Sequence, residues 1–220
     1  MKVAALYDVH GMPWALEAVL SEAQGEADAI VFGGDFTYGP YPRETLERVR
    51  ALDASVIRGN CEREPVEWDL SQLSQEQVDW MQDLPLTAEI DGVLFCHATP
   101  TDDMPITVYS TPDDVIFANF GGVTGTVVIG HTHHQFDRRV GDLRVINAGA
   151  VGMPYEGEVA AFWTMLVDGE PQFRKTLFDV EDAKRRVASS GWPQAEDFVA
   201  ENLGRGITRD EAIAGWEGRR

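Results

Sequence analysis

The chain opens on a continuous apolar run, Val3-Ala4-Ala5-Leu6-Tyr7, that stops at Asp8. A short run with no polar interruption predicts a strand buried on both faces. Pro13 then stands at the start of a stretch in which Leu16, Val19 and Leu20 recur at helical spacing. The same unit returns twice. Asp28-Ala29-Ile30-Val31-Phe32 runs into Gly33-Gly34-Asp35 and a helix over 43–52, and a strand over 54–58 runs into Gly59-Asn60-Cys61-Glu62. Strands alternating with helices in this way predict a layered α/β fold. A further helix is predicted over 74–84, closed by Pro85.

From Leu86 onward the pattern is one of strands. Segments 86–90 and 93–97 flank Asp91-Gly92, a strong hairpin signal. Pro112-Asp113-Asp114 opens a short helix to residue 120, and the β-branched run Thr126-Val127-Val128-Ile129 predicts another buried strand, ending at Gly130. Segments 136–140 and 143–146 form a second hairpin around Gly141-Asp142, and longer strands are expected over 159–167 and 171–178. Residues 179–220 read as two or three amphipathic helices covering one face of a core at 1–178. No linker separates the two parts, so one domain over 1–220 is expected.

Composition narrows the class. At 44% hydrophobic and 25% charged residues, the chain reads as an ordinary globular protein. It has no apolar stretch long enough to span a bilayer, and its start reads as a core strand and not a signal peptide. Cytoplasmic residence is the default expectation. Two cysteines, Cys61 and Cys96, without an export signal make a structural disulfide the weaker reading. The formal net charge of −19, with no Lys/Arg run, argues against binding nucleic acid or anionic membrane. An anionic substrate would need something locally positive, and bound divalent cations would supply it.

Candidate chemistry gathers at the ends of the predicted strands. Asp8, His10, Asp35, Asn60, His97, His131 and His133 all stand there, and these include four of the five histidines in the chain. In α/β sheets the position just past the carboxyl end of a strand is where ligands bind. Taken alone, Asp8 could cap the first helix, and His10 could be solvated. Together, carboxylate, imidazole and amide oxygen suit Mn²⁺, Fe²⁺, Co²⁺, Ni²⁺ or Zn²⁺ better than Ca²⁺ or Mg²⁺. Seven ligands exceed one tetrahedral centre and suit two ions that share a carboxylate, about 3.5–4 Å apart.

Asp8-x-His10, Gly34-Asp35, Gly59-Asn60, the strand-end His97 and Gly130-His131-x-His133 resemble, in order and spacing, the calcineurin-like metallophosphoesterases. The resemblance runs over about residues 1–178 and is nearest to the compact prokaryotic phosphodiesterase branch. It implies a four-layer αββα sandwich with two mixed β-sheets, the C-terminal helices being added to it. It implies a dinuclear metal-dependent phosphodiesterase in which a metal-bridging hydroxide attacks a small phosphoester. Two divalent ions are expected, Mn²⁺ first. One would take Asp8, His10, Asp35 and His133; the other would share Asp35 and take Asn60, His97 and His131. A phosphomonoesterase acting on nucleotide or phosphoprotein, and a non-catalytic metal-binding scaffold for partner proteins, are the alternatives. Oligomeric state is not legible.

Two departures from the family pattern matter. Cys61 follows the Gly-Asn pair where many members carry the His or Asp assigned as proton donor; it is either a weak acid catalyst or, the preferred reading, a packing residue. Phe36-Thr37-Tyr38-Gly39-Pro40 fills the stretch where many phosphatases of the family carry a second acid and an arginine, which argues against a protein phosphatase. Arg58 and Arg63 flank Asn60 and are candidates to hold a phosphate oxygen, with surface salt bridges as the alternative. Tyr38 and Tyr155 are candidates to stack on a nucleobase. His134 reads as a solvated neighbour, with a place at the cleft mouth as the other option.

Overall fold

The structure, a computed structural model, describes residues 1–218. β1 (Lys2–Leu6) leads to α1 (Pro13–Ala23), β2 (Ala29–Phe32) to α2 (Pro42–Arg50), and the two-residue β3 (Ser55–Val56) to the short α3 (Asn60–Arg63). Proline occupies the first position of α1 and of α2, where its missing N–H costs nothing. α4 (Glu67–Gln72) and α5 (Gln75–Gln82) follow, and Ser74 and Gln77 close a reciprocal cap at the start of α5. The hairpin of β4 (Thr87–Ile90) and β5 (Val93–Cys96), then α6 (Asp113–Phe120), precede β6 (Gly125–Ile129). Next come β7 (Phe136–Val140), β8 (Leu143–Asn147), β9 (Ala161–Val167) and β10 (Glu170–Thr176). The last part is α7 (Val180–Ser189), α8 (Ala195–Ala200), a π-helical turn at Glu201–Arg205 and α9 (Arg209–Glu217). α4 lacks any apolar period that would announce it, and β3 is shorter than its apolar run.

The strands form two mixed five-stranded sheets, ordered β10-β9-β1-β2-β3 and β4-β5-β6-β8-β7. In the first, β1, β2 and β3 run parallel, β9 lies antiparallel beside β1, and β10 pairs antiparallel with β9 at the edge. In the second, β5, β6 and β8 run parallel while β4 and β7 pair antiparallel at the edges. Both Asp-Gly hairpins turn with positive φ at the two turn residues, Asp91 at 54° and Gly92 at 75°, and Asp168 at 51° and Gly169 at 81°. That is the twist-matched geometry which Asp-Gly favours.

Alternation along each strand builds the layers. Val3, Ala5 and Tyr7 face the second sheet and pack with Val31, Ile57, Phe95, Val128 and Ile146. Ala4 and Leu6 face the other way, onto α1 and α2 through Leu16, Val19, Leu20, Leu46 and Val49. On the far face of the second sheet, Cys96, Val127, Ile129 and Val145 pack under Ile116 and Phe120 of α6. Helices, sheet, sheet and helix therefore stack in that order, and β1 is apolar on both faces because it lies between two layers. The C-terminal helices join the first helical layer through Ala183, Val187, Trp192, Phe198 and Leu203.

Candidate metal centre

The parallel strands of both sheets end at one edge, and there the backbone leaves ordinary geometry. Asp8, His10, Asp35, His131 and His133 all take left-handed conformations, with φ of 53°, 48°, 53°, 64° and 60°. Non-glycine residues in this region are costly, and they cluster where function demands a particular aim. In Gly130-His131-Thr132-His133 the two left-handed histidines bracket Thr132, so their rings turn into different groups. Two of the neighbouring glycines are required by packing. A Cβ on Gly33 would lie 1.9 Å from the Tyr7 ring, and one on Gly130 would lie 2.5 Å from an Asp8 carboxylate oxygen.

The buried ligand-type side chains fall into overlapping groups: Asp8, His10 and His133; Asp35, His97 and His131; and His10, Asp35 and Cys61. In the first, His133 Nε2 is 3.3 Å from Asp8 Oδ1 and 3.2 Å from His10 Nε2. In the second, His97 Nε2 is 3.2 Å from Asn60 Oδ1 and 3.5 Å from Asp35 Oδ2. That same Asp35 oxygen is 4.0 Å from His10 Nε2, so it faces both groups.

Each side chain is held by a backbone contact on its outer side. His10 Nδ1–H donates to the Tyr38 carbonyl at 3.2 Å, His97 Nδ1–H to Gly33 at 2.9 Å and His133 Nδ1–H to Met153 at 2.8 Å. His131 reverses the choice and donates from Nε2 to the Met104 carbonyl at 3.1 Å. A carbonyl can only accept, so in each neutral ring the remaining nitrogen carries a lone pair. Asp8 Oδ2 accepts the His131 N–H at 3.0 Å, while its Oδ1 is buried with no hydrogen-bond partner. Asp35 Oδ1 accepts the Cys61 N–H at 2.9 Å and leaves Oδ2 to the two groups. Lone pairs facing one another at 3.2 Å beside an unpartnered carboxylate oxygen are repulsive unless a cation lies among them. Outer hydrogen bonds to carbonyls are the usual support of metal-binding imidazoles. The donor set therefore fits divalent cations.

Electrostatics agree. Burial and neighbouring imidazoles push His10 and His131 down to about 4, which favours the neutral, ligating form. Burial also opposes a proton on His97, but the charges of Asp35 and Asp8 outweigh it and lift His97 to about 10. Asp35 is buried too, yet His97 and His10 hold it well below the usual carboxylate range. A divalent cation held there would take the place of the His97 proton, so that binding one would release the other.

Glu62 is a central residue that the sequence pattern did not single out. Fully buried, it accepts the backbone N–H of Asp35 at 2.7 Å, Phe36 at 3.0 Å, Thr37 at 3.3 Å and Gly59 at 3.0 Å. One carboxylate thereby ties the Asp35 loop to the Asn60 loop. Its position three residues after Gly59, in the manner of a helix-capping glutamate, is the signal that could have found it. Asn147 does similar work in the other sheet, donating to the Gly130 carbonyl at 2.7 Å and to Thr132 Oγ1 at 2.9 Å.

The remaining candidates separate. Tyr38 and Tyr155 line the cavity over the centre, and the Tyr155 ring lies 4.8 Å from that of His133. Arg58 and Arg63 lie outside its lining and turn to a buried carboxylate instead. Arg63 Nε is 3.0 Å from both oxygens of Asp103, Arg58 Nε is 4.0 Å from it, and Arg58 Nη1 donates to the Gln82 carbonyl at 2.7 Å. The salt-bridge alternative describes this geometry. Cys61 borders the cavity, and its Sγ lies 3.4 Å from Asn60 Nδ2. Burial, Asp35 and Glu62 raise its thiol well above the ordinary value, which makes it a poor proton donor. His134 is not solvated: it is fully buried, with Nδ1–H on the Thr132 carbonyl and its ring against Phe136.

The model of the calcineurin-like phosphoesterase superfamily domain matches residues 1–170. The chain belongs to this family. Among solved structures, a metallophosphoesterase from Sphaerobacter thermophilus shares 26% identity, with 94% of this chain and 100% of that chain covered at a TM-score of 0.77. A hypothetical protein from Pyrococcus horikoshii OT3 shares 18% identity over 94% of this chain and 99% of its own, at a TM-score of 0.79. No curated protein matches the sequence. Family and neighbours make the chain a metal-dependent phosphoric ester hydrolase with a phosphoesterase fold. Among the described residues no helix is long and apolar enough to cross a membrane.

Proposed function

We propose that this phosphoesterase is dinuclear and acts on phosphodiesters. The observation that carries the proposal is the convergence of imidazole lone pairs, Asp8 Oδ1 and the shared Asp35 Oδ2, with each outer atom already committed to the backbone. Asp8, His10, Asp35 and His133 would hold one ion; Asp35, Asn60, His97 and His131 would hold the other. A bound pair of divalent ions supplies Lewis acidity to phosphoryl oxygens and acidifies water. The chain's own residues orient the ester. Asp35 fixes the separation of the two groups, and Glu62 and Asn147 keep the loops from which they project in register. The phosphate sits over the imidazoles, and Tyr38 borders the space beside it. Cys61 contributes its N–H to Asp35 and packs beside the site.

The diester preference is supported by charge. Among the described residues no lysine or arginine lines the cavity, so nothing but the ions would balance the second charge of a monoester. Mn²⁺ leads, with Fe²⁺, Co²⁺, Ni²⁺ or Zn²⁺ behind it, on the mixed donor set. A single domain over 1–220 in the cytoplasm belongs to the same proposal; Cys61 and Cys96 are both free and buried. The test is metal analysis combined with parallel assays of a chromogenic diester and monoester under Mn²⁺. Two ions per chain and faster diester turnover are expected. A strong monoester preference would replace the diesterase reading, and loaded protein that hydrolyses neither would point to a scaffold.

A further inference from the structure

The cavity above the centre has a volume of about 550 Å³, far more than a phosphate group needs and in the range that encloses a drug-sized ligand. Its far wall is built by the C-terminal part of the chain, which contributes Trp192, Asp197, Phe198, Ile207 and Trp216. Trp216, on α9, brings its ring to 5.5 Å from His131, and Tyr155 flanks His133 on the other side. Trp192 is held edge-on between Tyr38 at 6.1 Å and Phe198 at 5.4 Å, and is 4% exposed. Aromatic surfaces thus begin next to the imidazoles and continue outward.

The charge beyond the centre has one sign. Glu64, Asp69, Asp197 and Glu201 line the cavity. Glu64 and Glu201 are paired with Arg63 and Arg205, whereas Asp197 makes no ion pair among the described residues. A second anionic group on the substrate would face carboxylates and aromatic faces at this end. A flat ring, neutral or positively charged, would meet stacking surfaces and an uncompensated carboxylate.

We infer that the organic group carried by the phosphodiester is a planar aromatic ring without negative charge, received by the wall that the C-terminal helices build. Trp216 and Asp197 set this specificity, and esters with a further anion at that end are excluded. The inference rests on the phosphoesterase reading above.

Calorimetric titration of the Mn²⁺-loaded full chain tests it with O-methyl esters of three phosphonic acids: benzyl, cyclohexylmethyl and 4-carboxybenzyl. All three place one anionic phosphorus group on the centre and differ only in what reaches the wall. The benzyl ester should bind at least about fivefold more tightly than the cyclohexylmethyl ester, the lower end of a stacking contribution. The 4-carboxybenzyl ester should bind at least about tenfold more weakly than the benzyl ester. Trp216→Leu should bring the first ratio towards one, and the exposed Asp197→Asn, which leaves the packing intact, should narrow the second. Equal binding of all three esters, or a carboxybenzyl ester as tight as the benzyl, overturns the inference. If chromogenic diesters are turned over while none of the phosphonates binds, the inference falls and the phosphoesterase reading stands. Absence of both binding and turnover removes both.

Discussion

Glutamine at position 62 is nearly isosteric with the native glutamate, yet it should be poorly tolerated. Each oxygen of the carboxylate serves two backbone donors: Oε2 takes the N–H of Asp35 and Gly59, and Oε1 takes those of Phe36 and Thr37, with the Thr37 hydroxyl also donating to Oε1 at 3.4 Å. A glutamine keeps one oxygen and turns its NH₂ towards two buried N–H groups. Each buried donor left without a partner costs about 1–3 kcal/mol. Two of them, eased by some relaxation of the loops, put Glu62→Gln at about 2–4 kcal/mol. Glu62→Ala loses all of these contacts but opens space for water, and should cost about 3–5 kcal/mol. Burial and the charge of Asp35 raise Glu62 to about 7, against the pull of the backbone donors. This makes the substitution informative, because glutamine imitates a protonated glutamate. Urea denaturation of the wild type and both variants with Mn²⁺, with a cation beside Asp35 to remove the repulsion, measures the difference. Metal affinity should fall in parallel, since both ligand loops hang on this carboxylate. A Glu62→Gln protein within about 0.5 kcal/mol of wild type, with unchanged metal affinity, would show that Glu62 is held neutral and refute the reasoning.

Stripping metal with a chelator should abolish turnover and lower Tm, with Mn²⁺ restoring both. Asp35→Asn should stay folded and inactive while metal analysis shows fewer ions per chain. Denaturation midpoints of the metal-free protein should peak near pH 6.5. Above that, His97, lifted to about 10 by Asp35 and Asp8 against its burial, holds its proton more tightly folded than unfolded, so stability is lost as pH rises. Glu62 and Asp69, raised to about 7 chiefly by burial, lose stability with rising pH between about 4 and 7 and so offset part of the histidine effect below the peak. Below it, His10, His131 and His134, each lowered to about 4 chiefly by burial, take protons more readily unfolded, so stability is lost as pH falls. A midpoint rising steadily from pH 5 to 9 would contradict these signs. Tyr7 is fully buried between the sheets and donates to the Val128 carbonyl at 3.0 Å. Tyr7→Phe should cost about 1–2 kcal/mol in chemical denaturation, because that carbonyl is left without its donor.

Much of this was legible along the chain, because the relevant physics is local or periodic. Apolar runs, helical spacing, prolines and Asp-Gly turns mark both sheets and most helices to within a few residues. Ligand-type residues at strand ends point to one edge, since strands that run parallel end together. Residue type alone, however, leaves Arg58 and Arg63 open as phosphate holders or salt-bridge partners; Asp103, 40 residues after Arg63, decides where they turn. The carbonyls of Tyr38, Gly33, Met104 and Met153 set the histidine tautomers, and no pattern announces a backbone oxygen from a distant loop. Likewise the aromatic wall comes from residues whose charged helices promise only a solvated cover. The donor set was thus written in the sequence as residue type and spacing. Its aim, its charge state and the shape of the cavity above it depend on contacts between segments far apart in the chain, and only the tertiary structure brings those segments together.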